Sequence, residues 1–373
     1  MIRDFTNDGN SFLGYYLSNH NHNDIKVRID NIHTLLPSVN KKKSIITNSY
    51  HNECLAIFYL SGNLECFIDY LISCLLFQTG CYSLCDELIT NLKRKLQNSD
   101  TISAGYDVGV MMAFTMFHEF GHYNNYVDET EKLLYYNVAE GFCQLWIEEI
   151  TNEGLDLDGY IIDLKNSSDD EFFKDFVERS FKALDDCESF ADNFVNLLKT
   201  WLYDQQKIDE LAADIFAIRN LIETFKELNI ISSEEMAKTF GDSLLHSIYY
   251  LNNYTFAKFF LFSEEDDLNL KEINKSLREG SFLFGSIRFL IAKISINVFI
   301  NDTFGYDGEF NSYNKIVEKS QKMMYSTIFL NYKERNKYIQ AFRNDETDND
   351  SSKMNSTFDN LMSILPIARE LIK

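Results

Sequence analysis

A short segment of the chain places three chemically active side chains at the spacing of a zinc-binding helix. Residues 118–122 read His-Glu-Phe-Gly-His. Positions i and i+4 of an α-helix lie one turn apart on the same face, so the imidazoles of His118 and His122 can reach one cation. Neutral imidazole is a common ligand of Zn²⁺, and Glu119 would stand beside the ion, where its carboxylate can take a proton from water. The pattern predicts a catalytic zinc site; the competing interpretation is two histidines on a helix surface with an incidental glutamate.

Two histidines leave such a metal short of a protein ligand, and two later segments of the form Glu-x-x-Ala-Asp could supply it. The segments are residues 188–192 and 210–214. In each, the glutamate could ligate the metal while the aspartate, one turn away, orients an imidazole through its other nitrogen. We favour Glu210 and Asp214 because the small residues of their segment would let it pack closely against the first metal helix. Glu188 with Asp192 stays an alternative, and a solvated acidic face is the competing interpretation of both segments.

Residues in and after the motif are candidates for supporting roles. A glycine inside a helix, as at position 121, costs about 1 kcal/mol relative to alanine, so we expect that another element approaches Gly121 closely. The tetrahedral oxyanion of a zinc-assisted hydrolysis needs a donor besides zinc. His246, in an apolar aromatic segment, is our candidate catalytic donor; Tyr249, Tyr250 and Tyr254 are alternatives, and a core histidine is the competing interpretation. We interpret the remaining histidines as surface residues: His20, His22, His33 and His51.

The order of the two motifs resembles that of a known group of enzymes. HExxH followed on a later helix by ExxAD is similar to the gluzincin zinc metallopeptidases, and similar patterns occur in HtpX-like, ImmA/IrrE-like and Lit-type phage-exclusion peptidases. The residues that carry the resemblance are His118, Glu119, His122, Glu210 and Asp214. It covers about residues 105–225 and implies a zinc-dependent endopeptidase, closest in character to the Lit type. That type suggests phage defence or toxin-like proteolysis, while ImmA/IrrE-like regulatory or housekeeping proteolysis is equally compatible with the residues.

The elements that must position these side chains are expected to be helical. With 2 Pro and 15 Gly in 373 residues, the chain has few of the residues that tight β-turns require. We therefore predict a mainly α (α+β) protein: a helical zincin core, a small antiparallel edge sheet, and additional helical N- and C-terminal regions. The predicted domains are residues 1–100, 101–262 and 263–373. Helices are predicted at 69–77, 82–96, from a cap at Asp107 through 122, 133–150, 171–184, 190–202, 206–228, after a cap at Ser232 or Ser233, and at 244–262.

Several segments are predicted to be non-helical, among them two in the N-terminal region and one after the motif. Residues 1–50 are expected to be irregular apart from a short strand at 25–29, and residues 154–163 are expected to form a loop. Two apolar runs flank a Gly-Asn turn within residues 54–68, which is typical of a β-hairpin. An extended substrate peptide could pair with an exposed edge of that hairpin. The alternative is that both strands are covered.

Net charge and composition restrict the classes of molecule that the chain is expected to bind. The formal net charge of −22 disfavours nucleic acid and an anionic membrane surface, and favours a basic region of a protein or peptide substrate. Residues 281–301 form the most apolar stretch, yet Arg288 and Lys293 within it indicate a buried helix rather than a membrane span. Seven cysteines and no export signal predict reduced thiols and a cytoplasmic enzyme, with a regulatory protein as a further partner. A catalytically silent zinc-binding interaction protein is the rival interpretation, although structural zinc usually takes four protein ligands.

Overall fold

A computed structural model describes residues 5–29, 38–48, 56, 90, 102–152, 159, 162, 166, 190–262 and 281–305. Within these ranges the chain forms seven helices and a three-stranded sheet. The elements are α1 (Phe5–Asn19), β1 (Lys26–Ile29), β2 (Ser38–Asn40), β3 (Ile45–Asn48), α2 (Ile102–Val127), α3 (Glu129–Asn152), α4 (Phe190–Leu202), α5 (Gln205–Glu227), α6 (Glu234–Phe262) and α7 (Ser281–Phe304). The prediction of a mainly helical protein with a small sheet is confirmed.

The sheet lies near the N-terminus and is mixed. Its strand order is β1-β3-β2, with β1 parallel and β2 antiparallel to β3. Ile46 of the central strand is fully buried between its partners Val27 and Val39. The strand predicted at 25–29 is confirmed by β1. Of the antiparallel hairpin predicted at 54–68 the structure describes Ala56, which is helical and fully buried, so the prediction is wrong at that residue. A short apolar run fits a buried helix as well as a strand. The rest of the hairpin lies outside the described residues.

Helix α1 corrects the expectation that the first 50 residues are irregular apart from one strand. Its polar and glycine-containing sequence has low helix propensity. Leu13, Tyr16 and Leu17 are nevertheless buried at the i, i+3, i+4 spacing of one helix face. A Cβ at Gly9 would lie 2.8 Å from the Met112 carbonyl carbon, so α1 and α2 approach closely at that point. Tertiary packing therefore outweighs local propensity in this segment.

The helix boundaries follow capping side chains that the sequence only partly revealed. Asp107 lies inside α2, which begins at Ile102, so its predicted role as the cap is wrong. The Asp128 carboxylate accepts hydrogen bonds from the backbone N–H groups of residues 130 and 131 at the start of α3, and Asp204 does the same for α5. Ser233 Oγ accepts from the backbone N–H of residue 236, as predicted for the start of α6.

Of the loop predicted at 154–163 the structure describes Gly159 and Ile162, which are helical, so the prediction is wrong at these two residues. Its acidic and glycine-containing sequence indicated a break, but such residues only weaken a helix that packing can still stabilise. The predicted helices at 69–77 and 171–184 lie outside the described residues, and of the helix predicted at 82–96 the structure describes Thr90, which is helical. The helix predicted at 190–202 is confirmed by α4, and that at 206–228 by α5 within one residue at each end.

The chain divides into two compact units, one of residues 1–116, 250–266 and 311–373, the other of residues 117–249 and 267–310. In the second unit, α5 is the central element and packs against α3, α4 and α7. Its central run from Leu211 to Ile218 is buried on every side. The candidate site therefore depends on the second unit, which contains all of the predicted metal ligands.

Helix α7 is one of the elements that cover α5. Ile291, Ile296 and Ile300 are buried on one face while Ile294 and Val298 are exposed on the other, so the buried amphipathic helix predicted at 281–301 is confirmed. None of the helices that the structure describes combines the length and apolar character that a membrane crossing requires.

Candidate metal centre

The two motif histidines point their imidazoles toward one another. His118 Nε2 lies 3.2 Å from His122 Nε2, and the ring planes are nearly perpendicular at 86°. Both residues lie on α2, where Phe117 and Phe120 are fully buried. The apolar side chains anchor the helix in the core, so the motif is held inside the unit rather than displayed on a helix surface.

Glu210 of α5 completes a cluster of three ligand atoms. Its Oε2 lies 3.4 Å from His118 Nε2, and its Oε1 lies 3.5 Å from His122 Nε2. We call His118, His122 and Glu210 the ligand cluster; its ligand atoms lie within 4.8 Å of one another. Donors about 2.0–2.1 Å from a tetrahedral Zn²⁺ are separated by about 3.3 Å, so the observed spacing fits that ion.

Close packing of α2 on α5 is what brings the ligands together. A Cβ placed on Gly121 would lie 3.1 Å from Ala213 Cα and 3.2 Å from the Ala213 carbonyl oxygen. One residue before the glycine, the Phe120 ring meets the Phe216 ring edge-on, with centroids 5.3 Å apart. The expectation of a close approach at Gly121 is confirmed, and the small side chain of Ala213 is its counterpart.

This contact predicts opposite stability effects for two helix-interior glycines. Gly121→Ala should lower the free energy of unfolding by about 1 kcal/mol, because the added methyl group presses on the α5 backbone. Gly141→Ala should raise it by up to about 1 kcal/mol, because nothing lies within 4 Å of a Cβ at that position. Denaturant unfolding of both variants checks the prediction, and a stabilised Gly121→Ala protein would contradict the assigned packing.

The outer nitrogen of His118 faces a buried ion pair. His118 Nδ1 lies 2.9 Å from Asp214 Oδ1. Arg288 of α7 donates from Nε to Asp214 Oδ2 at 2.7 Å and from Nη2 to Oδ1 at 2.8 Å. Arg288 Nη2 also lies 3.5 Å from Glu210 Oε2. With Asp214 and Arg288 only 1% and 6% exposed, this pair fixes the His118 side of the cluster.

The outer nitrogen of His122 faces a different carboxylate. His122 Nδ1 lies 2.8 Å from Asp209 Oδ2. The other oxygen, Asp209 Oδ1, accepts from Asn125 Nδ2 and from the Tyr136 hydroxyl, each at 3.0 Å. A carboxylate oxygen therefore lies beside Nδ1 of both imidazoles, in a hydrogen bond at His122 and in an ion-pair contact at His118, and both Nε2 atoms face inward. This is the usual arrangement of metal-binding histidines.

The electrostatics of the cluster favour a positive charge at its centre. Burial acts to lower the pKa of His122, but Asp209 and Glu210 outweigh it and raise that pKa to about 10. Burial acts to raise the pKa of Glu210, yet the two histidines hold it well below its usual range. The pKa of Asp209 falls to about 2, despite burial, because His122, Asn125 and Tyr136 stabilise the carboxylate. A pocket that stabilises protonated imidazoles in this way also stabilises a bound cation.

The cluster is accessible from one side. The Glu210 side chain is 39% exposed, whereas that of His118 is 7% exposed. Glu119 is half-buried, and its negative charge contributes to the raised pKa of His122, which places it within electrostatic reach of the cluster. A substrate could therefore approach from the Glu210 side while the histidine side remains enclosed.

Other predicted residues are not joined to the cluster. His246 is half-buried on α6 and is not a member of the ligand cluster, so its catalytic role stays a prediction. Glu188 lies outside the described residues, and Asp192 is exposed on α4. The N-terminal His20 is exposed, His22 is partly exposed, and both rings stack with Tyr16. His33 and His51 lie outside the described residues.

Four side chains around the cluster were missed by the sequence analysis: Asp209, Arg288, Asn125 and Tyr136. Asp209 directly precedes Glu210, so a search for an acidic partner of His122 could have found it. Arg288 was noted only as an argument against a membrane span, yet a cation on the apolar face of a helix indicates a buried anion nearby. Asn125 and Tyr136 carry no sequence signal of their own.

Comparison with known proteins adds nothing to this geometry. No protein-family model, no curated protein and no solved structure matches the chain. The functional argument therefore depends on the side chains of the site.

Proposed function

We propose that the chain is a zinc-dependent metallopeptidase of gluzincin character. The observation that carries the proposal is the ligand cluster, whose ligand atoms lie within 4.8 Å of one another and whose two imidazoles each have a carboxylate oxygen beside Nδ1. The likeness of the two motifs to Lit-type peptidases supports phage defence or toxin-like proteolysis in the cytoplasm. Regulatory or housekeeping proteolysis of the ImmA/IrrE-like kind uses the same residues.

Each residue of the site has a chemical role in this proposal. His118, His122 and Glu210 hold Zn²⁺, and the two neutral imidazoles and one carboxylate leave the site with a charge of about +1. Bound zinc supplies Lewis acidity, which polarises a substrate carbonyl and lowers the pKa of water. Glu119 takes the proton of the attacking water and passes it to the leaving amine. His246, or a tyrosine of the same helix, is the proposed donor to the oxyanion.

The rival proposal is a zinc-binding interaction protein without catalysis. A structural zinc site usually has four protein ligands and no open position. Within the described residues the cluster supplies three, its Glu210 side is exposed to solvent, and a carboxylate that can act as a base lies next to it. These features favour the peptidase.

The proposed substrate is a protein or peptide with a basic region. The net charge of −22 would attract such a region and repel nucleic acid. A regulatory protein partner is also proposed, because a cytoplasmic peptidase requires restraint.

Metal analysis joined to a cleavage assay tests the function. The purified chain should contain about one Zn²⁺ and should cleave an unfolded, lysine-rich protein. A chelator should abolish the cleavage and added Zn²⁺ should restore it. Elemental analysis of the metal and mass spectrometry of the fragments are the measurements. A chain that binds no zinc, or binds it through four side chains, would overturn the proposal.

Two matched variants test the third ligand. Glu210→Ala should weaken zinc binding by more than the roughly 10–100-fold that is typical of an outer-shell change. Glu188→Ala removes the competing glutamate and should leave zinc binding unchanged. The opposite result would transfer the ligand role to Glu188.

A further inference from the structure

The two imidazoles of the cluster are held by carboxylates with unlike surroundings. Asp214, behind His118, shares both of its oxygens with the Arg288 guanidinium. Asp209, behind His122, receives its further hydrogen bonds from an amide and a phenol, which are neutral donors. The charge of Asp214 is therefore largely offset by a cation in direct contact, while the charge of Asp209 is directed at His122.

We propose that Asp209 is the positioning residue that sets the affinity of the metal centre through His122, with Tyr136 and Asn125 as its supports. The inference rests on the proposed zinc site, and it assigns a function to residues outside the two sequence motifs. A carboxylate at Nδ1–H fixes the tautomer of an imidazole, so that the Nε2 lone pair faces the metal. It also increases the electron density that the imidazole offers to the ion.

The two carboxylate oxygens of Asp209 have different partners. Oδ2 faces His122 Nδ1 at 2.8 Å, while Oδ1 takes both supporting hydrogen bonds. Asn125 donates from α2 and Tyr136 donates from α3, so the carboxylate plane is held from two helices. Asn125 is 5% exposed and has little freedom to move away. This arrangement keeps Oδ2 on the imidazole when the metal is bound.

Burial makes the Asp209 charge effective at the metal. The Asp209 side chain is 23% exposed and that of His122 is 13% exposed, so solvent screens their contact only in part. Tyr136 remains a donor because burial and the Asp209 charge raise the pKa of its phenol. The Lys132 ammonium lies over the Tyr136 ring, 5.4 Å from its centroid, and is a further contact that holds this side chain.

Variants that separate charge from shape test the proposal. Asp209→Asn keeps the size and one acceptor oxygen but removes the charge, and it should weaken Zn²⁺ binding about 10–100-fold at neutral pH. Asp209→Ala should weaken it at least as much, and Tyr136→Phe should weaken it less, because Asn125 still holds the carboxylate. Glu223→Gln is the control: it neutralises a carboxylate on the same helix that pairs with Arg219 rather than with the cluster.

The measurements are zinc affinity, by competition with a chelating dye, and the visible absorption bands of the Co²⁺-substituted proteins. Asp209→Asn should shift the Co²⁺ bands while Glu223→Gln keeps those of the wild type, which a purely structural role of Asp209 would not produce. Unchanged zinc affinity and unchanged bands in Asp209→Asn would overturn this inference alone. An equal loss of affinity in Glu223→Gln would also overturn it. A wild-type chain that binds no zinc would instead overturn the proposed function.

Discussion

The Glu119→Gln variant is expected to bind zinc like the wild type and to cleave protein substrates roughly 10²–10⁴-fold more slowly, the usual contribution of a general base. Glutamine has nearly the same size, and it leaves His118, His122 and Glu210 in place. Its amide cannot take the proton of the attacking water. The loss should therefore appear in kcat, with the metal content and the folded structure preserved.

The measurement pairs zinc analysis with the rate of fragment formation from one unfolded protein. Glu234→Gln is the matched control, because Glu234 is a 54% exposed glutamate at the start of α6 that pairs with Lys238. It should cleave at the wild-type rate. If Glu119→Gln cleaves as fast as this control, Glu119 is not the general base. The proposed mechanism of hydrolysis is then wrong even though zinc is bound.

The part of the site that the sequence could predict is the part that lies within single helices. The 3.6-residue period alone places His118 and His122 on one face, and the same period places Glu210 and Asp214 on one face of α5. The glycine at 121 added a constraint between helices, because its cost inside a helix requires a packing reason. Three ligands and one outer carboxylate could thus be named before the fold was known.

The other half of the site depends on contacts between helices, which local patterns do not encode. Asp209 precedes Glu210 and yet reaches His122, because α2 and α5 cross closely at Gly121 and Ala213. Arg288 lies 74 residues after its partner Asp214. Such pairings are fixed by packing over the whole unit, so composition and periodicity could indicate that Arg288 needs an anion but could not say which one.

The fold was predictable to a similar degree. Long apolar runs predict helices such as α2 and α7, while α1 has little propensity and forms because its buried face packs. The predicted cap of α2 was wrong. Asp107 has the local sequence features of a cap, but the helix begins at Ile102, five residues before it. Several residues near the start of a helix can act as its N-terminal cap. Tertiary contacts decide which of them does.

Arg288→Met is expected to cost about 3–5 kcal/mol of the free energy of unfolding, because it leaves the Asp214 carboxylate buried without its cation. Methionine fills a similar volume, so the loss reports the charge rather than a cavity. The measurement is denaturant unfolding in the presence of a chelator, which removes the contribution of bound metal. Arg219→Met is the matched control: Arg219 pairs with Glu223, and their side chains are 42% and 40% exposed. An exposed pair of this kind contributes about 0–1 kcal/mol.

A double variant separates the charge from the packing of α7 on α5. Arg288→Met combined with Asp214→Asn removes the buried anion together with the cation, so it should recover part of the stability that Arg288→Met loses. Recovery would mean that the loss in Arg288→Met comes from the uncompensated charge of Asp214, and that Arg288 makes this charge tolerable in the core. If Arg288→Met is as mild as Arg219→Met, Asp214 does not depend on Arg288, and the two sides of the metal centre would be held in the same way.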